Sequence, residues 1–290
     1  MLNSSDRSVY DARWEWAIGT KDESILSLDR PKNQASFFYT YYNRLLLRIL
    51  EEQLGPLGTD TKVLEIGCGR ATASIFLAIT RGCMVMPTDY SANAVKIANK
   101  NMINYNLPPT AEQADIFEMK KSKDFDAVIS LGVMEHMPDQ VAAYEAMLGQ
   151  LKPGGIMISM NVPDKDFCIQ TLFIPVNRVL RAVRKGLGKP DNRPWLDSKS
   201  RSNTGSVYRT TTTASGFRMS CVKAGFIDTY IVEYNPFPTI DSLPTNVEEL
   251  LVRLYEMIIV IRKWFGKRCI DPFETTSLLS RCHFIVGKAP

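Results

Sequence analysis

The sequence predicts an α/β chain built on a doubly wound sheet, and two observations predict it. Seven short apolar runs, starting near Lys62, Cys83, Thr110, Phe125, Ile156, Phe226 and Cys282, interleave with segments of helical spacing. The first run, Val63-Leu64-Glu65-Ile66, passes through Gly67-Cys68-Gly69 into Thr72 to Ile79, which reads as a strand, a tight turn and a helix N-terminus. Glycine is needed in such a turn because a side chain would hold the backbone away from whatever lies across it.

The 290 residues allow one large domain or a domain with insertions. With 45% hydrophobic and 23% charged residues the composition is that of a soluble globular protein, and a net charge of +4 is too small and too evenly spread to argue for nucleic acid. Cys68, Cys83, Cys168, Cys221, Cys269 and Cys282 form no Cys-x-x-Cys pair, so reduced thiols in the cytoplasm are expected and no zinc site is. The polar start, Met1 to Ser8, is not a secretory signal, and no run approaches the ~20 apolar residues of a membrane span.

Met1 to Lys32 is polar with isolated aromatics, Tyr10, Trp14 and Trp16, and reads as a loose arm or a short helix. Asn33 to Leu54 carries Phe37, Phe38, Tyr41, Leu45, Ile49 and Leu50 near helical spacing and stops at Gly55-Pro56. Its aromatics read as core packing with a wet edge, or as a lid over a ligand. Cys83 to Pro87 is a second strand leading to Asp89, and Ser91 caps the helix that follows. Thr110 to Ala114 is a short third strand ending at Asp115-Ile116, and Phe125 to Leu131 a buried fourth, introduced by Asp124-Phe125-Asp126. After Gly132-Val133-Met134-Glu135-His136-Met137-Pro138, Asp139 caps a helix through Leu151, and Lys152-Pro153-Gly154-Gly155 leads into strand five, Ile156 to Asn161.

Phe167 to Lys185 reads as one helix kinked at Pro175, with Leu172, Val176, Val179, Leu180 and Val183 on one side over a core and Arg178, Arg181, Arg184 and Lys185 on the other. The rival reading of such a basic amphipathic helix is a membrane-surface or anion-gripping element. Gly186 to Gly205 is polar and reads as a mobile loop, Thr210 to Ala224 as a helix closed by Gly225, and Phe226 to Tyr234 as a strand. Thr245 with Glu248 forms a capping box for a helix ending near Phe265-Gly266. It is apolar nearly all round, through Leu250, Leu254, Met257, Ile258 and Ile261, as in a helix that is buried, roofs an apolar substrate or pairs with another subunit. His283, in the last strand, reads as a core or edge residue.

Glu65 chooses between ligands for the glycine turn. A dinucleotide would put its pyrophosphate on the helix N-terminus, where a carboxylate repels it, and its fingerprint wants Gly or Ala where Thr72 stands. A ligand carrying an ammonium and a sulfonium suits Glu65 better.

Val63 to Ala71 resembles motif I of the class I S-adenosylmethionine-dependent methyltransferases, a hydrophobic run followed by Glu/Asp-x-Gly-x-Gly-x-Gly, with Ala71 standing at the third glycine. Asp89-Tyr90, Asp115-Ile116, the tripeptide before strand four, Leu151-Lys152-Pro153-Gly154-Gly155 and Ala224-Gly225-Phe226 are similar to later motifs of that family. The Glu135-His136 pair is similar to that of its quinone O-methyltransferases. The resemblance is close over Thr61 to Asn161 and loose over Phe226 to Gly287. It implies a Rossmann-like seven-stranded sheet with the last strand antiparallel, S-adenosylmethionine as cofactor, and transfer of its methyl group to an O, N or C atom of a small molecule. It also implies a cofactor site of Glu65, Gly67, Cys68, Gly69, Asp89, Tyr90, Asp115, Ile116, Ser130, Leu131 and Gly132. Asp89 would take the ribose hydroxyls, Tyr90 one face of the adenine, and Asp115 with the Ile116 N–H the adenine edge.

His136 has two readings, a general base for an acceptor hydroxyl or a structural residue bonded to its loop, and Glu135 is carried with it as a candidate catalytic group. Gly132 stands where metal-binding members have a further carboxylate, so no metal is expected. The expected organisation is an arm and lid over 1–55, a cofactor core over 56–162, an acceptor-site insertion over 163–209, and the rest of the core over 210–290 with an extra helix near 246–265. A lipid or isoprenoid acceptor at a membrane surface, with peripheral membrane contact, is a narrower variant. A homodimer, a nicotinamide-dependent reductase and a non-catalytic cofactor-binding scaffold are the other readings carried forward.

Overall fold

The computed structural model of the chain describes residues 4–20, 30–162, 167–188, 210–241, 243–265 and 271–290. The sheet is centred on β1 (Lys62–Ile66), which pairs in parallel with β2 (Met84–Asp89) on one side and β4 (Phe125–Leu131) on the other. β3 (Glu112–Gln113) extends the β2 side and β5 (Leu151–Asn161) the β4 side, both parallel. β7 (Cys282–Lys288) then runs antiparallel between β5 and β6 (Ile227–Tyr234). The order is β3-β2-β1-β4-β5-β7-β6, the seven-stranded sheet with an antiparallel last strand that the resemblance implied. The chain runs outward from β1 to β3 and restarts at β4, so the strand order reverses between β1 and β4 and opens a crevice at their carboxyl ends.

The central strands read as continuous apolar runs because both faces are covered. Val63, Ala127, Ile129, Ile156 and Ile158 face a core shared with α2 (Gln34–Leu54) and α9 (Thr245–Phe265). Their neighbours Leu64, Val128 and Met157 face a second core closed by α5 (Gln140–Leu148) and α8 (Ala214–Lys223). A smaller core joins α3 (Thr72–Arg81) to α4 (Ala92–Asn104) through Ile75, Ala98 and Met102. Asp126 links the start of the sheet, accepting from the Lys62 backbone N–H at 2.8 Å and the Lys152 ammonium at 2.6 Å.

The amino-terminal arm takes the short-helix reading, as α1 (Ser4–Ala17). The α2 aromatics take the core reading with a wet edge: Phe37 packs on Phe237 with ring centroids 5.2 Å apart, Tyr42 is fully buried, and Phe38, Tyr39 and Tyr41 are partly exposed. Several other expectations are corrected. β3 is two residues long, shorter than the expected Thr110 to Ala114. α5 stops at Leu148, because Leu151 already pairs with Phe125 and draws the Lys152–Gly155 connection into β5. The helix expected over Phe167 to Lys185 breaks at Phe173 into α6 (Ile169–Leu172) and α7 (Ile174–Gly186). Pro175 sits in the first turn of α7, where a missing N–H costs nothing, and so starts a helix instead of kinking one. The apolar side of α7 does not lie over a core: Val176, Val179 and Val183 are exposed, and Asn177 is the residue it buries.

α8 begins at Ala214, with Thr213 as its cap, four residues later than expected. Glu248 makes no capping box with Thr245; its carboxylate accepts from the Gln34 backbone N–H at 3.0 Å and so ties α9 to α2. α9 is buried on one side only, through Val252, Tyr255 and Ile259. The loop expected up to Gly205 lies outside the described residues beyond 188, as do Gly266 and Cys269.

Candidate functional site

The carboxyl ends of β1, β2, β3 and β4 carry most of the residues singled out in the sequence. Glu65 is buried near the tip of β1, where one carboxylate oxygen accepts from the backbone N–H of Ser74, at 3.1 Å, and from its hydroxyl, at 2.5 Å. The acid thereby ties the strand to the first turn of α3. Burial pushes its pKa up to about 7, against the Ser74 bonds that pull it down.

Gly67 and Gly69 take positive φ, 70° and 52°. Ala71, at the third glycine of the motif, takes φ 57° as well, a left-handed conformation costing of order 1 kcal/mol for a residue with a side chain. The turn closes through the Cys68 N–H on the Thr88 carbonyl at 2.9 Å and the Ala71 N–H on the Cys68 carbonyl at 2.8 Å.

Asp89, at the tip of β2, is buried beside that turn. One of its oxygens accepts from the Gly69 N–H and the other from the Ser91 N–H, each at 3.0 Å. The Tyr90 backbone N–H also bonds this carboxylate, which leaves acceptor capacity for a further donor. Burial raises its pKa to about 6 and outweighs those backbone bonds, with Asp11 of α1 adding a like charge.

Beyond Asp89, a cavity of about 420 Å³ is lined by Tyr90, Gln113, Ala114, Asp115, Glu118 and Met119. Tyr90 and Asp115 therefore share one space. Asp115 also closes its own turn, accepting from the Phe117 N–H at 3.1 Å. The Ile116 side chain belongs to the α5-side core.

On the β4 side Ser130 is fully buried and Leu131 and Gly132 form the strand end, with the Gly132 N–H on the Met160 carbonyl at 3.0 Å. The next residues make a short 3₁₀ turn, Met134–His136. Val133 leans into the crevice, one methyl so placed that a Cβ on Gly67 would meet it at 2.3 Å. Glu135 is 1% exposed; its carboxylate accepts from the Val162 N–H at 3.3 Å, and its carbonyl accepts from the Thr210 N–H at 2.8 Å. Glu135 thus pins the turn to the end of β5 and to the approach to α8. His136 follows, half-buried, its N–H on the Val133 carbonyl at 2.9 Å.

Sequence reasoning allowed a short helix at the amino terminus but missed that α1 lies over the glycine turn. Its Trp14 indole lies on Gly69, and its Tyr10 ring meets His136 edge-on at 5.5 Å and Tyr90 at 6.5 Å. The lid reading of the amino-terminal part therefore fits α1, whereas it had been attached to α2. The signal was present: Tyr10 and Trp14 are four residues apart, hence on one helical face. His283 is fully buried against Phe217, at 5.4 Å, opposite Asn161 in the sheet. Among the described residues no group of three or more His, Cys, Asp or Glu is arranged to hold a metal, and no helix is long and apolar enough to cross a membrane.

Residues 57–175 match a family model described as a methyltransferase domain. The chain is 31% identical over 118 residues to a ubiquinone biosynthesis O-methyltransferase of Alkalilimnicola ehrlichii, covering 40% of this chain and 47% of that protein. It is 29% identical over 146 residues to the Xanthomonas axonopodis protein of the same name, covering 50% of this chain and 60% of that one. The chain thus spans about half the length of the curated relatives it matches. Its fold is similar to that of geranyl diphosphate C-methyltransferase from Streptomyces coelicolor, with a TM-score of 0.54, 11% identity and 99% of each chain covered. Over residues 57–175 the chain thus matches a methyltransferase domain, on a sheet ordered as the resemblance to the class I S-adenosylmethionine-dependent enzymes implied.

Proposed function

We propose that the protein transfers the methyl group of S-adenosylmethionine to a small-molecule acceptor. The observation that carries this reading is the pair of buried carboxylates, Glu65 and Asp89, flanking the glycine turn at the tips of adjacent strands. Both are pushed up by burial, so ionising them in the bare protein is costly and a cationic ligand relieves the cost. A pyrophosphate would meet the Glu65 carboxylate as repulsion.

In this reading Asp89 takes the ribose hydroxyls on its remaining lone pairs, and Tyr90 and Asp115 hold the adenine in the cavity they line. Gly67, Cys68 and Gly69, with Ser130, Leu131 and Gly132, wall the methionine end. The sulfonium is an activated donor, so the protein mainly aligns the acceptor in line with the methyl group and excludes water. Where the acceptor is a hydroxyl, His136 takes its proton, and Glu135 acts by holding the His136 turn in place. The names of the relatives, O-methyltransferases of ubiquinone biosynthesis, support an oxygen acceptor.

The organisation that follows is a cofactor core over 56–162, with α1 and the 163–209 insertion completing the acceptor side. The five described cysteines are all free and buried, which supports a reducing, cytoplasmic setting. Calorimetry with S-adenosylhomocysteine and with NAD tests the cofactor, and turnover of methyl-labelled donor against pooled metabolite fractions tests the transfer. Binding of NAD in place of S-adenosylhomocysteine overturns the reading.

A further inference from the structure

On α9 the exposed apolar residues Val247, Leu250, Leu254, Met257, Ile261 and Trp264 recur at alternating spacings of three and four positions. Their exposure runs from 42% at Val247 to 84% at Trp264, and Val260 lies exposed beside them. At 3.6 residues per turn they form one narrow seam. Val252, Tyr255 and Ile259, which α9 buries in the core, lie on the opposite side of the helix. A broad apolar face suits a core or a lipid surface, whereas a seam of strict three-four spacing fits the groove of one partner helix. α9 is also held before any partner arrives. Its Glu248 carboxylate accepts from the Gln34 N–H at 3.0 Å, and its Tyr255 hydroxyl donates to the Pro238 carbonyl at 2.8 Å.

The seam is complementary to its own reverse. When two copies of α9 lie antiparallel about a two-fold axis near Tyr255 and Glu256, Val247 meets the partner's Trp264, Leu250 the partner's Ile261 and Leu254 the partner's Met257, so every apolar layer is filled from both sides. The charges obey the same symmetry. Glu249 stands near the start of one flank of the seam and Lys263 near the end of that flank, so the antiparallel arrangement brings them together twice, and Arg253 comes beside the partner's Glu256. A parallel pair would instead set Glu249 level with Glu249 and Lys263 level with Lys263. The acids Glu248, Glu249 and Glu256 balance the bases Arg253, Arg262 and Lys263, so α9 has no net charge to draw it to an anionic surface.

We propose that α9 is the interface of a homodimer, its seam packed antiparallel against that of a second copy of this chain. Each Trp264 brings on the order of 150–250 Å² toward the ~1,200 Å² of total area that a specific interface needs, and the aliphatic seam residues of both copies supply the remainder. Because the helix is already folded and anchored, pairing orders little beyond its side chains. The dimer goes beyond the functional reading and does not rest on it.

The test is sedimentation equilibrium of the full chain, in which the wild type is expected to be a dimer at micromolar concentration. The Leu254→Glu variant is expected to weaken dimerisation by about 100-fold or more, because its carboxylate is buried against the partner's Met257. Leu254 is 44% exposed in the single chain, so the circular dichroism spectrum and S-adenosylhomocysteine affinity should stay at wild-type values, which separates loss of pairing from loss of fold. The Leu254→Glu/Met257→Lys variant is expected to recover about tenfold or more of the lost affinity, since each new acid then faces a new base across the antiparallel axis. A monomeric wild type overturns the proposal, whether or not it floats with lipid vesicles. So does a dimer that Leu254→Glu leaves intact, and failure of the double variant to regain affinity overturns the antiparallel pairing.

Discussion

The indole of Trp14 lies so close on Gly69 that a Cβ at residue 69 would fall 2.7 Å from two of its ring atoms. The second glycine of the turn thus makes room for the chain's own amino-terminal helix. A methyl group at residue 69 would have to displace a rigid ring, and the two positions should therefore be energetically coupled. Gly69→Ala is expected to be destabilising in the wild-type background and less so beside Trp14→Ala, with a coupling of about 1 kcal/mol or more. Denaturant melts of the four proteins of the cycle measure it; additive effects would mean that α1 does not rest on the turn in solution.

Trp14→Ala by itself should loosen the cover of the cleft. Dissociation of S-adenosylhomocysteine, followed by stopped-flow competition, is expected to accelerate by about tenfold, with the melting temperature of the core little changed. An unchanged rate would remove α1 from the cofactor's path.

The carboxylates at the strand tips give a pH dependence with a definite sign. Folding raises the pKa of Asp89 from 3.8 to about 6 and that of Glu65 from 4.5 to about 7, so the folded chain holds protons that the unfolded chain has released. The stabilising contribution of these groups is complete below their unfolded values and is lost as pH rises through about 6 to 7. A cationic cofactor prefers the ionised forms, so its affinity should move the other way, falling as pH drops below about 6. Calorimetry in buffers of different ionisation enthalpy should show proton release on binding near neutral pH, and uptake would contradict the assignment.

Asp89→Ala removes an acceptor for two hydroxyls and should weaken S-adenosylhomocysteine binding by about 10- to 100-fold, since a hydrogen bond to a charged group is worth about 1.5–3 kcal/mol. His136→Ala should leave that affinity intact. If a hydroxyl is the acceptor, its turnover number should fall by about 10²- to 10⁴-fold. Circular dichroism of both variants checks the fold.

Glu135→Gln and Glu135→Ala separate positioning from acid-base chemistry. The amide oxygen of Gln can still accept from the Val162 N–H, so Glu135→Gln should retain most activity, while Glu135→Ala leaves that group unpaired and costs about 1–3 kcal/mol of stability. A Gln variant as inactive as the Ala variant would mean that the charge itself is used.

The sequence alone determined the parts of this protein whose chemistry is local. Alternation of buried strands with capped helices, the glycine turn between Glu65 and Thr72, and Asp89 at the end of the next strand each follow from neighbours a few positions apart. Short-range sterics and hydrogen bonding act at that distance. Ser91 and Asp139 were legible as helix caps for the same reason. What only the tertiary structure decided depends on contacts far apart in sequence. Trp14 reaches Gly69 because α1 folds back over the crevice, and Glu248 leaves its expected cap because Gln34 offers it donors from another helix. The side of α7 that faces the protein is set by Thr239 and Asp241, which satisfy Asn177 and Arg181, so periodicity could reveal two unlike faces but not which of them the rest of the chain would bury.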